Sequence, residues 1–210
     1  MVSRIFLGVT GASGAAYAGH ALRAMVDAGC RVGLCVSDAA VQVIGHEVLD
    51  LPELPGRARR DEILTRFLAL YTPSDAAVDV LDLGDFASRY ASGSSGADAA
   101  LVAPCSMSTL ATVAHGTGTN LIHRTAEVML KERRRLVLMP RETPLSLVQI
   151  ENMAAVTRAG AIVLPAMPGL YGRPRTVEDM VDFVVARALD HLGVANRLAP
   201  RWADTQGLPA

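Results

Sequence analysis

Ile5-Phe6-Leu7-Gly8-Val9-Thr10-Gly11-Ala12-Ser13-Gly14, followed by Ala15-Ala16-Tyr17-Ala18, decides the fold. An apolar run of β-formers ends abruptly in small residues and gives way to helix formers. That reads as a strand, a tight glycine turn and a helix N-terminus. In such a turn the backbone amides and the helix dipole converge on one point, which suits an anion, usually a phosphate. The glycines stand as Gly11-x-x-Gly14 with Gly8 upstream, so the dinucleotide pattern G-x-G-x-x-G is missing, and so is a P-loop lysine. What the loop offers is a hydroxyl, Ser13, at the mouth of the helix. A mononucleotide or flavin fits this loop better than NAD or ATP.

Outward from that corner the pattern repeats. A helix over 13–28 carries Ala18, Leu22, Met25 and Val26 at helical spacing, and Gly29 stops it. Arg31–Val36 is a second strand, tipped by Ser37 where a dinucleotide fold places an acid for the ribose. A helix over 39–45 follows, ending near His46-Glu47. Residues 51–90 are the least regular: a breaker at Leu51–Gly56, a basic cluster Arg57–Arg60 read as a solvated face, a helix over 61–71 and a short edge strand over 78–83. A small-residue loop, Tyr90–Gly96, leads into a buried strand at Ala99–Pro104 and then Cys105-Ser106-Met107-Ser108-Thr109. Hydroxyls between strand and helix again supply N-cap oxygens and amides. A short helix runs from Thr109 to about Ala114, and another over 121–134 ends in cations. Strands at 136–140 and 161–165 alternate with helices at 145–159 and 177–192, the last capped by Thr176. From Ala195 a C-terminal arm carries Trp202.

Five strands alternating with helices predict a doubly wound, mostly parallel Rossmann-like α/β sheet with helices on both faces. The expected organisation is a single domain over 1–210, with 195–210 as the arm. The distinctive loops, 10–14, 37–40, 104–109, 140–144 and 166–174, fall at the carboxyl ends of the strands, where such sheets bind ligands. Net charge is −1 in 210 residues, which argues against nucleic acid or an anionic membrane as partner. No apolar run reaches the roughly 20 residues of a spanning helix, and no signal-peptide pattern opens the sequence. Cys30, Cys35 and Cys105 lack C-x-x-C spacing and read as free thiols of a cytoplasmic protein. A positive mean hydropathy points to surface hidden in subunit contacts.

Gly11-Ala12-Ser13-Gly14, Ala91-Ser92-Gly93-Ser94, Pro104-Cys105-Ser106, Leu130-Lys131-Glu132-Arg133, Arg141-Glu142-Thr143-Pro144-Leu145 and Tyr171-Gly172-Arg173-Pro174 together resemble, in order and spacing, the UbiX-type flavin prenyltransferases. The likeness runs from about residue 3 to residue 203. It implies an enzyme that transfers a dimethylallyl group from dimethylallyl phosphate to N5 and C6 of reduced FMN, without a metal. The product, prenylated FMN, would serve a UbiD-type decarboxylase. By the same resemblance FMN contacts fall on Gly11, Ala12, Ser13, Ser37, Ser106, Met107, Ser108, Thr109 and Arg124. Donor contacts fall on Lys131, Arg141, Glu142, Tyr171 and Arg187, and Glu47 and Trp202 match positions near the reaction centre. Ser108 departs from members with lysine there, and Gly172 replaces a bulkier residue. A homo-oligomer, a dodecamer with sites at subunit junctions, is implied as well.

These residue types suit that chemistry. Cations at Lys131, Arg141 and Arg187, with the Tyr171 hydroxyl, would neutralise charge developing on a departing phosphate. A flavin face and Trp202 would wall in the allyl cation. Ser13, Glu47, Glu142 or the released phosphate would move the proton shed at ring closure, and the sequence does not rank them. Two other readings remain open at this point: an FMN-dependent decarboxylase of the phosphopantothenoylcysteine type, and a non-catalytic flavin carrier.

Overall fold

The computed structural model describes residues 2–51, 57–94 and 96–200. Its six strands are β1 (Arg4–Val9), β2 (Arg31–Val36), β3 (Val78–Leu81), β4 (Ala99–Cys105), β5 (Arg135–Pro140) and β6 (Ile162–Val163). All pair in parallel, in the order β3-β2-β1-β4-β5-β6. Among the described residues seven α-helices flank them, six between strands and the last after β6: α1 (Ala15–Asp27), α2 (Asp38–Glu47), α3 (Arg57–Tyr71), α4 (Met107–His115), α5 (Leu121–Lys131), α6 (Leu147–Ala159) and α7 (Val177–Leu192).

β1 reads as a continuous apolar run because both of its faces are covered. Ile5, Leu7 and Val9 join the core under α1, α3 and α7, while Phe6 joins the opposite core under α4, α5 and α6. Gly8 sits where α5 comes closest, since a Cβ there would lie 2.9 Å from Ile122 Cγ2. His20 Nδ1 and Asp182 Oδ1, 2.7 Å apart, tie α1 to α7 beside the apolar contact.

The sheet has six strands, one more than the five firm strands of the sequence reading, because the edge segment at 78 does pair with β2. β6 is shorter than expected. The Leu164 and Ala166 amides still donate to the carbonyls of Leu138 and Pro140, so bonding along β5 continues past the strand. α5 stops at Lys131, short of the expected Arg134, where Arg133 takes a φ of 55°. α4 starts at Met107 because Ser106 caps it.

Beyond β1 the chain turns toward β2, and beyond β4 it turns the other way, toward β5. The two loops therefore diverge at the switch point and open a crevice at the carboxyl edge, where doubly wound sheets hold ligands.

Candidate active site at the carboxyl edge

The crevice is closed at its base by Thr10, which is 3% exposed. Its hydroxyl donates to the Pro104 carbonyl at 2.8 Å and accepts from the Ser106 amide at 2.7 Å. The β1 and β4 tips are thus fixed to each other before any ligand arrives. On the β4 side Ser106 Oγ accepts from the Thr109 amide (3.2 Å) and donates to Thr109 Oγ1 (3.0 Å), while Met107 is half-buried and Ser108 exposed. Cys105 lies beneath, and burial pushes its thiol up to about 12. It is a neutral packing group there, not a nucleophile. On the β2 side Ser37 caps α2, its Oγ accepting from the Ala40 amide at 3.2 Å.

The β1 loop differs from its sequence reading. α1 begins at Ala15 with Gly14 as its cap, in a left-handed conformation (φ 111°) and without a side-chain cap. Ser13 therefore does not cap the helix. The anion at this helix mouth is internal: Glu47, the last residue of α2, accepts from the Gly14 amide at 2.8 Å and the Ala15 amide at 3.0 Å. Burial raises the Glu47 pKa, but the Ser13 hydroxyl, the two amides and Arg141 outweigh it and hold the carboxyl below its ordinary value. Gly11 is required by close approach, for a Cβ there would stand 2.5 Å from Ala39 Cβ. Two of the amides expected to cradle a phosphate are already used, and the Ala12 amide donates to the Thr10 carbonyl at 2.9 Å, so Gly11, Ala12 and Ser13 offer chiefly small side chains. Arg141, just beyond β5, reaches back with Nε to the Ser13 carbonyl at 3.2 Å.

The flavoprotein family model matches residues 2–189. The flavin prenyltransferase UbiX of Methanothermobacter thermautotrophicus is 43% identical over 202 residues, covering 96% of each chain. The chain belongs to the UbiX flavin prenyltransferases. The structure of AnUbiX (PadA1) in complex with FMN and dimethylallyl pyrophosphate matches with TM-score 0.82 at 38% identity, covering 96% of this chain and 98% of that one. A dodecameric FMN-dependent UbiX-like decarboxylase from Escherichia coli O157:H7 matches with TM-score 0.79 at 36% identity, covering 95% of this chain and 98% of that one.

The remaining family positions divide into those the fold gathers at this edge and those it does not. Arg141 and Glu142 line a cavity of about 240 Å³ with Leu145, Met153 and Met167. Glu142 is exposed, and its Oε1 accepts from the Thr143 amide at 3.1 Å. Tyr171 stands on the loop after β6 with its ring edge-on to Phe183, centroids 5.4 Å apart. Lys131 lies elsewhere: it ends α5, before β5 begins, so the length of β5, roughly 20 Å, separates it from Arg141. There it pairs with Glu132. Arg187 is likewise removed, three turns down α7 and roughly 16 Å from that helix's cap. Its guanidinium pairs with Asp190 at 3.1 Å. Arg124, in the first turn of α5, donates from Nε to the Ala91 carbonyl at 3.1 Å. Trp202 lies outside the described residues.

Two positions escaped the sequence reading. Thr10 was taken as part of the glycine turn, although a hydroxyl as the last polar group of a buried strand was a signal. Arg60, within the cluster read as a solvated face, donates to the Val36 carbonyl (2.6 Å) and to Asp38 Oδ1 (2.8 Å) at the tip of β2.

Proposed function

We propose that the chain acts as one flavoprotein domain that prenylates reduced FMN with dimethylallyl phosphate, within a homo-oligomer of the cytoplasm, and supplies prenylated FMN to a UbiD-type decarboxylase. The observation that carries the reading is Arg141. It joins the flavin-side wall, through the Ser13 carbonyl, to the cavity at Glu142, so two substrates would meet at one guanidinium.

The crevice suits a flavin. Its walls are small residues and neutral hydroxyls, its floor is fixed by Thr10, and Gly11 lets the β1 loop pack directly against Ala39. Gly11, Ala12, Ser13, Ser37 and the 106–109 loop would hold FMN, with Arg124 assigned by family position. Reduced FMN supplies the electron-rich ring that takes up the dimethylallyl group. Arg141 neutralises charge on the phosphate as the allylic C–O bond breaks, and Tyr171, Lys131 and Arg187 extend that role. The apolar lining from Leu145, Met153 and Met167 keeps water from the allyl group. Glu47 is held ionised by the helix mouth and hydrogen-bonded to Ser13; its lowered pKa makes it a weak base, so its part is to orient the Ser13 hydroxyl toward the flavin. Glu142 is a proton acceptor on the donor side, and Trp202 a wall for the allyl cation.

Lys131 and Arg187 sit too far from Arg141 to serve the same chain's site, which favours sites shared between subunits. An apolar surface beside the cavity supports assembly: Leu147 is 69% exposed, Met167 66% and Leu170 68%. The three buried free cysteines suit a reducing compartment. Anaerobic incubation with reduced FMN and either dimethylallyl phosphate or the diphosphate, read by mass spectrometry, tests the proposal. A flavin heavier by one prenyl unit is expected with the monophosphate; no such product with either donor overturns it.

A further inference from the structure

α3 buries Ile63, Leu64, Phe67 and Tyr71 against α1 and α2. The packing is close: a Cβ on Gly19 would stand 2.3 Å from the Tyr71 ring, and one on Gly45 3.2 Å from Ile63. Arg60 precedes Ile63 by three residues and Leu64 by four, so it continues the same face one turn toward the helix start. That turn lies over the tip of β2. Arg60 is the polar end of an otherwise apolar stripe, with its side chain only 21% exposed.

Its two bonds bracket Ser37. Nη2 donates to the carbonyl of Val36 and Nη1 to the carboxylate of Asp38. The Ser37 amide donates to the Val9 carbonyl at 3.0 Å, so the Val36 carbonyl of the same peptide faces away from β1, toward β3. β3 makes its last pairing with Cys35, through Leu81, and does not reach Val36. Arg60 therefore supplies the partner that the sheet does not, and a charged donor binds a carbonyl more strongly than a neutral one. It also sets a cation against Asp38, whose negative charge would otherwise stand next to Ser37.

We infer that Arg60 is a positioning residue for flavin binding: without touching the flavin, it fixes the peptide on which Ser37 sits and offsets the charge of Asp38. This rests on the reading of Ser37 as an FMN contact. The full chain, stripped of flavin, is titrated with FMN and followed by quenching of flavin fluorescence. Arg60→Ala is expected to weaken FMN binding about tenfold, the scale of one lost charge-assisted hydrogen bond. Arg60→Lys, which places one ammonium where a fork reached two acceptors, should fall between the two. In turnover, KM for FMN should rise by the same factor, while kcat and KM for dimethylallyl phosphate stay within about twofold. Asp38→Ala keeps the bond to Val36 and should leave FMN affinity within about twofold of the parent. The inference is overturned if Arg60→Ala and Arg60→Lys bind FMN as the parent does. It is also overturned if either variant loses kcat and both KM values together with thermal stability. A parent chain that binds no FMN overturns instead the reading of Ser37 and the proposed function.

Discussion

At the tips of β1, β2 and β4 the loops are bonded to one another: Thr10 to Pro104 and Ser106, Glu47 to Gly14 and Ala15, Arg60 to Val36 and Asp38. At the tips of β5 and β6 Arg141 reaches back to the Ser13 carbonyl, but a run of apolar side chains stands outward. Glu142 turns back on its own loop, and Leu147, Val148, Met167 and Leu170 are about two-thirds exposed. The first half is tied together within one chain. The second half has the groups for a phosphate and a short apolar chain. Lys131 and Arg187, which the family likeness assigns to it, are far down the molecule. Under the proposed function, the difference makes flavin binding a property of the chain and donor activation a property of an oligomer.

The strongest challenge to that division uses two defective chains. Glu142→Gln and Lys131→Ala, each alone, should retain FMN and lose prenylation by about 10²- to 10⁴-fold, the usual weight of an acid–base or charge-stabilising group. Co-expressed as mixed oligomers they should recover a measurable part of that activity, because some sites would then hold an intact Glu142 and a neighbour's intact Lys131. Mixed oligomers as inactive as either parent variant would place both groups in one chain and end the comparison.

A smaller effect probes the first half. Thr10→Val removes the hydroxyl between β1 and β4. The Pro104 carbonyl keeps the Thr10 amide at 3.2 Å, but the Ser106 amide loses its partner. An unsatisfied buried amide costs about 1–3 kcal/mol. At about 2–4 °C per kcal/mol for a chain of this size, the melting temperature should fall by roughly 2–12 °C. An unchanged melting temperature would mean the staple contributes nothing to the fixed crevice.

The smallest expected effect concerns Glu47. Its folded pKa lies below the ordinary value, so it stabilises the fold at pH above the unfolded glutamate pKa, about 4.3. That contribution fades as the pH falls through the lower folded value. Glu47→Gln should therefore lose stability relative to the parent at pH 7 and approach it at pH 3, measured by urea unfolding at both. An equal difference at both pH values would separate Glu47 from the charge of the helix mouth.

Much of the fold was legible residue by residue. β1, β2 and α7 begin and end where apolar runs and caps put them, since a strand buried on both faces must be apolar and Thr176 marks its helix by a local bond. The candidate site was legible as a set of loop tips and a set of motifs. The partner of the α1 amides, Glu47, was not legible at the glycine loop because it comes from another helix. Arg60 was misread as solvated because a run of arginines resembles a surface until α3 is laid on α1 and α2.

The sequence by itself determined the alternation of strands and helices, the absence of the NAD and ATP signatures, and the family motifs that mark FMN and an allylic phosphate. Those follow from bonds and periodicities that act over a few residues. The tertiary structure alone decided which residues share an edge. It filled the first glycine loop with the carboxylate of Glu47, joined β1 to β4 through Thr10, drew Arg141 to Ser13 and set Lys131 beyond the far end of β5. Such contacts join residues distant in the chain, and only the order and twist of a closed-packed sheet fix how far apart those residues lie. The stretch from Ile5 to Gly14 announced a binding corner; the packing around it set aside two of its amides for the protein's own carboxylate and left its small residues as a wall for a flavin.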